Sequence, residues 1–346
     1  KMKIIILFVL VSINSLGNTT INSNSINQIS LSIEKDQTEF SFLAAGHTYG
    51  NPSESLFPCP SLINYVDRIN TSSASFLMLL GDNYRVADSL NILTFKQSFL
   101  NKIEIPVFNA LGNHDIYVRE YATYKKNFTE NTYYSFIINS SLFIVLDTEL
   151  ALTNDQTDGS ITGDQLTFLK ETLDQFMLLN SSITKNVFIC GHKELNLFSE
   201  NNYEEDIKPL LYSIADSMCK IYILSGDMSK NSNELYIDKN DNPNISYIHT
   251  HLSDNKKDKI LKFQVSATGS VQITPLSLHD LPVKNIDSYT YSSPNQLLNE
   301  PSFFSKVKSR FYNRNFYEGM LFLTICIVAF IGIIRSKRFL SKNKRL

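Results

Sequence analysis

The sequence has no Cys-x-x-Cys pair, no Gly-x-Ser-x-Gly element and no glycine-rich phosphate loop. The first absence, with only four cysteines in 346 residues, leaves no disulfide framework to read. The second removes the usual signature of a serine-hydrolase elbow. The third removes the glycine turns that cradle nucleotide phosphates. Charge of one sign is also missing: 32 basic residues face 34 acidic ones, a net charge of −2. That balance gives no reason to expect nucleic acid as a partner. Tryptophan is absent while Asn, Ser, Ile and Lys abound, which reads as composition bias, not chemistry. No internal repeat is visible. The Asn-x-Ser/Thr triplets, Asn127-Phe-Thr among them, are expected by chance in so Asn- and Ser-rich a chain.

Two long apolar runs are present, one near each end. "KMKIIILFVLVSINSLG" places two lysines before Ile4–Val11, then small and polar residues to Gly17. This is the pattern of a secretory signal peptide over 1–17, and the run is too short to span a bilayer. Residues 316–335 are nearly all apolar and approach the roughly 20 residues that a membrane helix needs. A basic tail follows over 336–346 and suits a cytoplasmic end. The expected localisation is therefore a single-pass membrane protein, body outside the cytoplasm and tail inside. Residues 281–315, rich in Pro, Ser, Asn and Tyr, read as a juxtamembrane linker.

Between these segments, apolar runs alternate with helical stripes. Strands are expected at Phe40–Ala45, Ser75–Leu80, Pro106–Ala110, Tyr133–Ile138, Leu142–Leu146, Val187–Cys190, Ile221–Leu224, Ser246–His249 and Ile260–Val265. Apolar stripes at Leu62–Ile69, Leu166–Met177 and Ile207–Ile214 predict helices. Such alternation indicates α/β layering, and the hairpin-like run 133–149 makes mixed sheets the expectation. Cys190 and Cys219 are either neighbours or, the expected reading, two small buried hydrophobes; Cys326 lies in the membrane run.

The punctuation of these strands carries the chemistry. Phe40–Ala45 ends in Gly46-His47-Thr48-Tyr49, and Ser75–Leu80 in Gly81-Asp82-Asn83. The third ends in Gly112-Asn113-His114-Asp115, the next in Gly191-His192, and another in Gly226-Asp227. Each glycine permits a sharp turn at a strand's carboxyl end, the edge where α/β sheets build sites. Each turn then offers a residue able to bind a metal.

From Thr38 to Ala267 the series resembles the calcineurin-like metallophosphoesterase superfamily. The intact "GNHD" at 112–115 is the most specific element. "GD" at 81–82 and "GH" at 191–192 match in order and spacing, and 159–173 resembles the helix that commonly precedes the fourth motif. Two motifs depart: His47 and Tyr49 stand where the family has a metal-binding Asp and His, and Asp227 and Ser229 stand where it has two histidines.

The resemblance implies a four-layer α/β/β/α sandwich over 38–280. It implies two divalent cations clamping a phosphate while water attacks phosphorus in line. Asp82 would bridge the ions, and Asn113, His192 and Asp227 would complete one site. His114 would act on the phosphoryl or leaving-group oxygen, with Asp115 orienting and charging it. The other site is depleted, its dependable donors being His47 and Asp82. His249 or His251 of "IHTH" (248–251) could replace a lost ligand, His251 being better placed beyond the strand; the alternative is a solvated pair. Lys193 and Arg85 either meet phosphate oxygens or are solvated, and His279 is expected at the surface.

The oxygen-rich ligand set favours manganese, iron or magnesium over zinc, with one tight ion and one weak or absent. The expected function is hydrolysis of a phosphoester or pyrophosphate outside the cytoplasm. Its substrate would be a phosphorylated small molecule or a lipid-linked or surface phosphate. The alternative is a domain that has lost catalysis and serves as a binding or accessory module.

Overall fold

The computed structural model describes residues 19–21, 24–33, 37–50, 58–116, 121–150, 159–179, 183–196, 202–216, 218–227, 235–239 and 242–291. The expected signal segment, membrane helix and tail lie outside these residues, as does Ser229. Among the described residues no helix is long and apolar enough to cross a membrane. The chain divides into two units, 1–294 and 295–346, and every described residue belongs to the first.

In chain order the strands are β1 (Thr19–Ile21), β2 (Leu31–Ile33), β3 (Phe40–Ala45), β4 (Phe76–Leu79), β5 (Val107–Asn109), β6 (Tyr134–Ile138) and β7 (Ser141–Val145). There follow β8 (Lys185–Cys190), β9 (Cys219–Ser225), β10 (Leu235–Asp238), β11 (Ile245–Thr250), β12 (Lys259–Val265), β13 (Val271–Ser277) and β14 (Thr290–Tyr291). The helices are α1 (Pro60–Asn64), α2 (Val66–Asn70), α3 (Ser89–Ser98), α4 (Tyr121–Asn127), α5 (Gly163–Leu178) and α6 (Lys208–Ile214).

One sheet has the order β13-β12-β3-β4-β5, the other β14-β10-β11-β9-β8-β7-β6. Both are mixed: β3, β4 and β5 run parallel with β12 antiparallel beside them, and β7, β8, β9 and β11 run parallel with β6 antiparallel at the end. The pairing of β14 with β10 carries the second sheet to Tyr291, past the expected start of the linker at 281.

Period-two alternation explains why the sheets stack. Along β3, Phe42 and Ala44 enter a central core while Leu43 and Ala45 enter an outer one. The central core is aromatic and lies between the sheets. Phe42 stacks on Phe263 at 4.5 Å within one sheet and meets Phe143 of the other edge-on at 5.2 Å. Such geometries add about 0.5–1.5 kcal/mol per pair beyond burial. The outer face of the first sheet packs on Leu62, Val66, Ile69, Ile92 and Phe95 from α1–α3. The second sheet packs on Leu169, Leu173, Phe176 and Leu211 from α5 and α6. The layers run α/β/β/α, as expected.

The register settles the cysteines. Lys185 pairs with Cys219 at one end of β8 and β9, whereas Cys190 pairs with Leu224 at the other, so the two thiols are not neighbours. Both are free and buried, and burial pushes the Cys219 thiol up to about 11.

The end of β7 is docked on α5. Asp147 N–H donates to Gln165 Oε1 at 2.7 Å, and Gln165 Nε2 donates back to the Asp147 carbonyl at 3.0 Å. Burial pushes the Asp147 carboxyl up to about 6, against hydrogen bonds from Thr132, Glu149, Tyr121 and Leu150. A carboxyl raised on folding contributes stability below its ordinary value, and that contribution is lost as pH rises through about 6. Asp147→Asn removes this slope. In urea unfolding, the stability of the variant relative to wild type should therefore rise between pH 4 and 7 by up to roughly 3 kcal/mol. A difference independent of pH contradicts the assignment.

Candidate metal centre

The parallel strands β3, β4, β5, β8, β9 and β11 deliver their carboxyl ends to one edge. The turns there are stitched by backbone hydrogen bonds: His47 N–H to the Gly81 carbonyl, Tyr49 N–H to that of Asp82, Asp227 N–H to that of His192, and Leu252 N–H to that of Gly46. The turns of the two sheets touch at Gly46 and Gly226. A Cβ on Gly46 would lie 2.3 Å from the Gly226 Cα, so only glycine lets the sheets approach this closely. His47 and Asp82 both hold left-handed backbone conformations, φ 47° and 57°. Such strain in non-glycine residues costs about 1–3 kcal/mol and persists where the surroundings impose it.

His192, from the turn after β8, is wholly buried, and its Nδ1–H donates to the Leu80 carbonyl at 2.8 Å. Its Nε2 is thereby turned toward three oxygens: Asn113 Oδ1 at 3.2 Å, Asp82 Oδ2 at 3.4 Å and Asp227 Oδ1 at 3.7 Å. These four residues are the expected set of one site. Burial opposes a charge on His192, but Asp82 and Asp227 outweigh it and raise its pKa to about 10. Burial likewise opposes ionisation of Asp82, and His192 and His47 overcome it, holding that carboxyl well below its usual range.

His47 lies on the other flank of Asp82, its Nδ1 3.0 Å from Asp82 Oδ2 and the residue 3% exposed. Its Nδ1 has Asp82 Oδ2 as its polar neighbour, while Nε2 has no hydrogen-bond partner. An unpartnered ring nitrogen at such depth is costly in a finished site. It fits a ligand waiting for a cation, as does the donor set around it. His47, Asp82 and Asp227 offer ligand atoms within 4.8 Å of one another. Asp227, which the sequence reading allots to the His192 site alone, thus stands within reach of both. A divalent cation held here would supply positive charge to phosphoryl oxygens and acidify an attacking water.

His114 is half-buried beside this centre. Its backbone N–H donates to Asp82 Oδ1 at 3.0 Å, its Nδ1–H donates to the Arg85 carbonyl at 2.6 Å, and its Nε2 lies 3.3 Å from the Tyr49 hydroxyl. Both ring nitrogens are engaged, and neither by Asp115. This corrects the expectation that Asp115 orients and charges His114. Asp115 points the other way: its carboxylate accepts from the backbone N–H groups of Asp82, Asn83 and Gly112 and from the Asn83 side chain. It clamps the turns at 81–83 and 112–115 together. Burial and the nearby Asp82 push it up to about 6, against those donated bonds.

His249 and His251 are not a solvated pair: they are 1% and 3% exposed, and the His251 ring stands edge-on to that of His47 at 6.5 Å. Burial, then His249 and His47, push His251 down to about 3. Lys193 is buried near Glu149, 3.7 Å away, and His279 is exposed. Sequence reasoning passed over Asn83 and Glu194. Their only signal was adjacency, Asn83 following the GD pair and Glu194 two residues after His192.

No protein-family model and no curated protein matches the sequence. Solved structures do. A dimetal phosphatase from Danio rerio superposes with a TM-score of 0.52 at 12% identity, covering 69% of this chain and 96% of that one. A purple acid phosphatase from yellow lupin (Lupinus luteus) seeds gives 0.49 at 12% identity over 74% and 55% of the two chains. The Haemophilus influenzae NAD nucleotidase gives 0.33 at 14% identity over 69% and 56%. The first match spans nearly the whole of the Danio rerio phosphatase chain and about two-thirds of this one. With two mixed sheets, helices on both outer faces and the Gly-punctuated turns at one edge, the chain has the calcineurin-like metallophosphoesterase fold.

Proposed function

We propose that this chain is a metal-dependent phosphoesterase that works outside the cytoplasm, anchored by a C-terminal membrane helix with a cytoplasmic tail. The observation that carries the chemistry is the convergence of His192 Nε2, Asp82, Asn113 and Asp227 beside a buried His47 whose Nδ1 faces Asp82 and whose Nε2 has no hydrogen-bond partner. Asp82 links the two halves of the centre. His114 is held at its rim, ready to meet a phosphoryl or leaving-group oxygen. The set of three oxygen donors and one nitrogen favours manganese, iron or magnesium over zinc, with the tighter ion on the His192 side. The membrane anchor and signal rest on the apolar runs alone. They make lipid-linked or surface phosphates, or a small phosphorylated molecule, suitable substrates.

A second reading, a binding module without catalysis, draws on Tyr49. Its hydroxyl occupies His114 Nε2, the nitrogen that chemistry would need. One assay separates the two. Full-length protein loaded with manganese is offered a phosphomonoester, a phosphodiester and a pyrophosphate. Metal-dependent hydrolysis of at least one, lost on chelation, is expected. Absence of turnover favours the binding module, metal-binding if manganese is bound and metal-free if it is not, and no bound metal overturns the phosphoesterase reading. Reporters fused after Ser288 and Lys342 test the topology, and a Ser288 fusion active only in the cytoplasm refutes it.

A further inference from the structure

A dry polar chain lies behind His47. Glu194, His249 and His251 are each 3% exposed or less. Glu194 Oε1 is 2.7 Å from His249 Nδ1, and Ser225 Oγ is 3.3 Å from the same nitrogen. His249 Nε2 is 2.9 Å from His251 Nδ1. Tyr236 stacks on the His249 ring at 5.0 Å and 20°, which holds its plane.

The protons on these rings follow from their neighbours. Glu194 Oε1 meets His249 Nδ1 as a close ion contact at 2.7 Å, not as an aligned hydrogen bond, and a bare ring nitrogen there would still set two lone pairs against each other. His249 Nδ1 therefore carries a proton. In the neutral ring Nε2 is then bare and accepts from His251 Nδ1–H. That leaves His251 Nε2 with a free lone pair, and among the described residues nothing hydrogen-bonds it. A carboxylate that fixes the tautomer of a histidine is the arrangement that surrounds metal-ligating imidazoles. Here it is extended by one ring.

We propose that Glu194 and His249 are positioning residues that hold His251 with Nε2 bare, and that His251 thereby completes the cation site built on His47 and Asp82. The inference rests on the metal-centre reading above. It adds a ligand beside His47, Asp82 and Asp227 on the flank where Tyr49 has replaced a histidine, and it explains why a carboxylate and two imidazoles meet here out of water.

The test begins with the metal-free, full-length wild type labelled with 15N-histidine. Long-range proton–nitrogen couplings report which ring nitrogen is protonated, and both His249 and His251 should be Nδ1–H tautomers. A proton on His251 Nε2 overturns the proposal without any mutation. Manganese calorimetry follows. Wild type should bind two ions. Glu194→Ala should weaken the looser ion about 10–100-fold and leave the tighter one unchanged. Glu194→Gln, whose carbonyl can accept the same N–H, should recover most of the loss. Equal weakening of both ions, or of neither, overturns it. A wild type that binds one ion overturns this inference and spares the metal-centre reading; one that binds none overturns both.

Discussion

Asp82→Asn is expected to abolish tight manganese binding and to lower turnover by roughly three orders of magnitude or more. Asp82 lies between the two flanks. Its Oδ2 lies 3.0 Å from His47 Nδ1 and 3.4 Å from His192 Nε2. A neutral amide cannot bridge two cations, and the charge stabilisation that bound ions lend a phosphoryl group is worth several kcal/mol. The substitution keeps the shape of the side chain and an oxygen for the His114 N–H, so the turn at 112–115 should survive. Bound metal stabilises only the folded state, so manganese should raise the wild-type melting temperature and not that of the variant. Metal content by mass spectrometry and thermal unfolding with and without manganese provide the check. Unchanged metal stoichiometry in the variant would falsify the bridging role.

The second large effect concerns His114. His114→Ala should slow turnover about 10²–10⁴-fold, the usual range for a lost acid or base, while both ions stay bound. Nδ1–H is committed to the Arg85 carbonyl at 2.6 Å, which fixes the ring and leaves Nε2 as the working atom. In the resting protein that atom faces the Tyr49 hydroxyl at 3.3 Å, so a substrate oxygen must displace tyrosine to reach it. Loss is therefore expected in kcat, with little change in metal affinity. A variant that loses its metal but keeps its rate per bound ion would show that His114 belongs to the metal shell instead.

Much of the frame was legible because it is written locally. An apolar run that stops at a glycine needs no distant information, and β3 has the bounds its residues predict. The alternation of runs and stripes indicated α/β layering, and the α/β/β/α order came from the resemblance of the strand-end motifs. Elements whose pattern is blurred were missed. The helix at Ser89–Ser98 leaves Leu90 and Leu93 exposed, so no clean apolar stripe marks it. The strand at Val271–Ser277 is an edge strand, mostly half-buried, with Pro275 within it.

The chain's own letters determined which chemistry is at hand: carboxylates, an amide and imidazoles, each placed one residue past a turn. Tertiary structure decided how they pair. Asp115 follows His114 in sequence, yet successive side chains in a tight turn diverge, and Asp115 clamps backbone while the distant Arg85 carbonyl holds the histidine. Cys190 and Cys219 are kept apart by strand register. His249 lies in β11 and His251 one residue past its end, and their facing ring nitrogens come within 2.9 Å. Only the folding of the 191–196 turn against β11 brings Glu194 to them. Hydrogen bonds and ion contacts act over about 3 Å, and which groups come that close is a property of the packed sheets, not of neighbours along the chain.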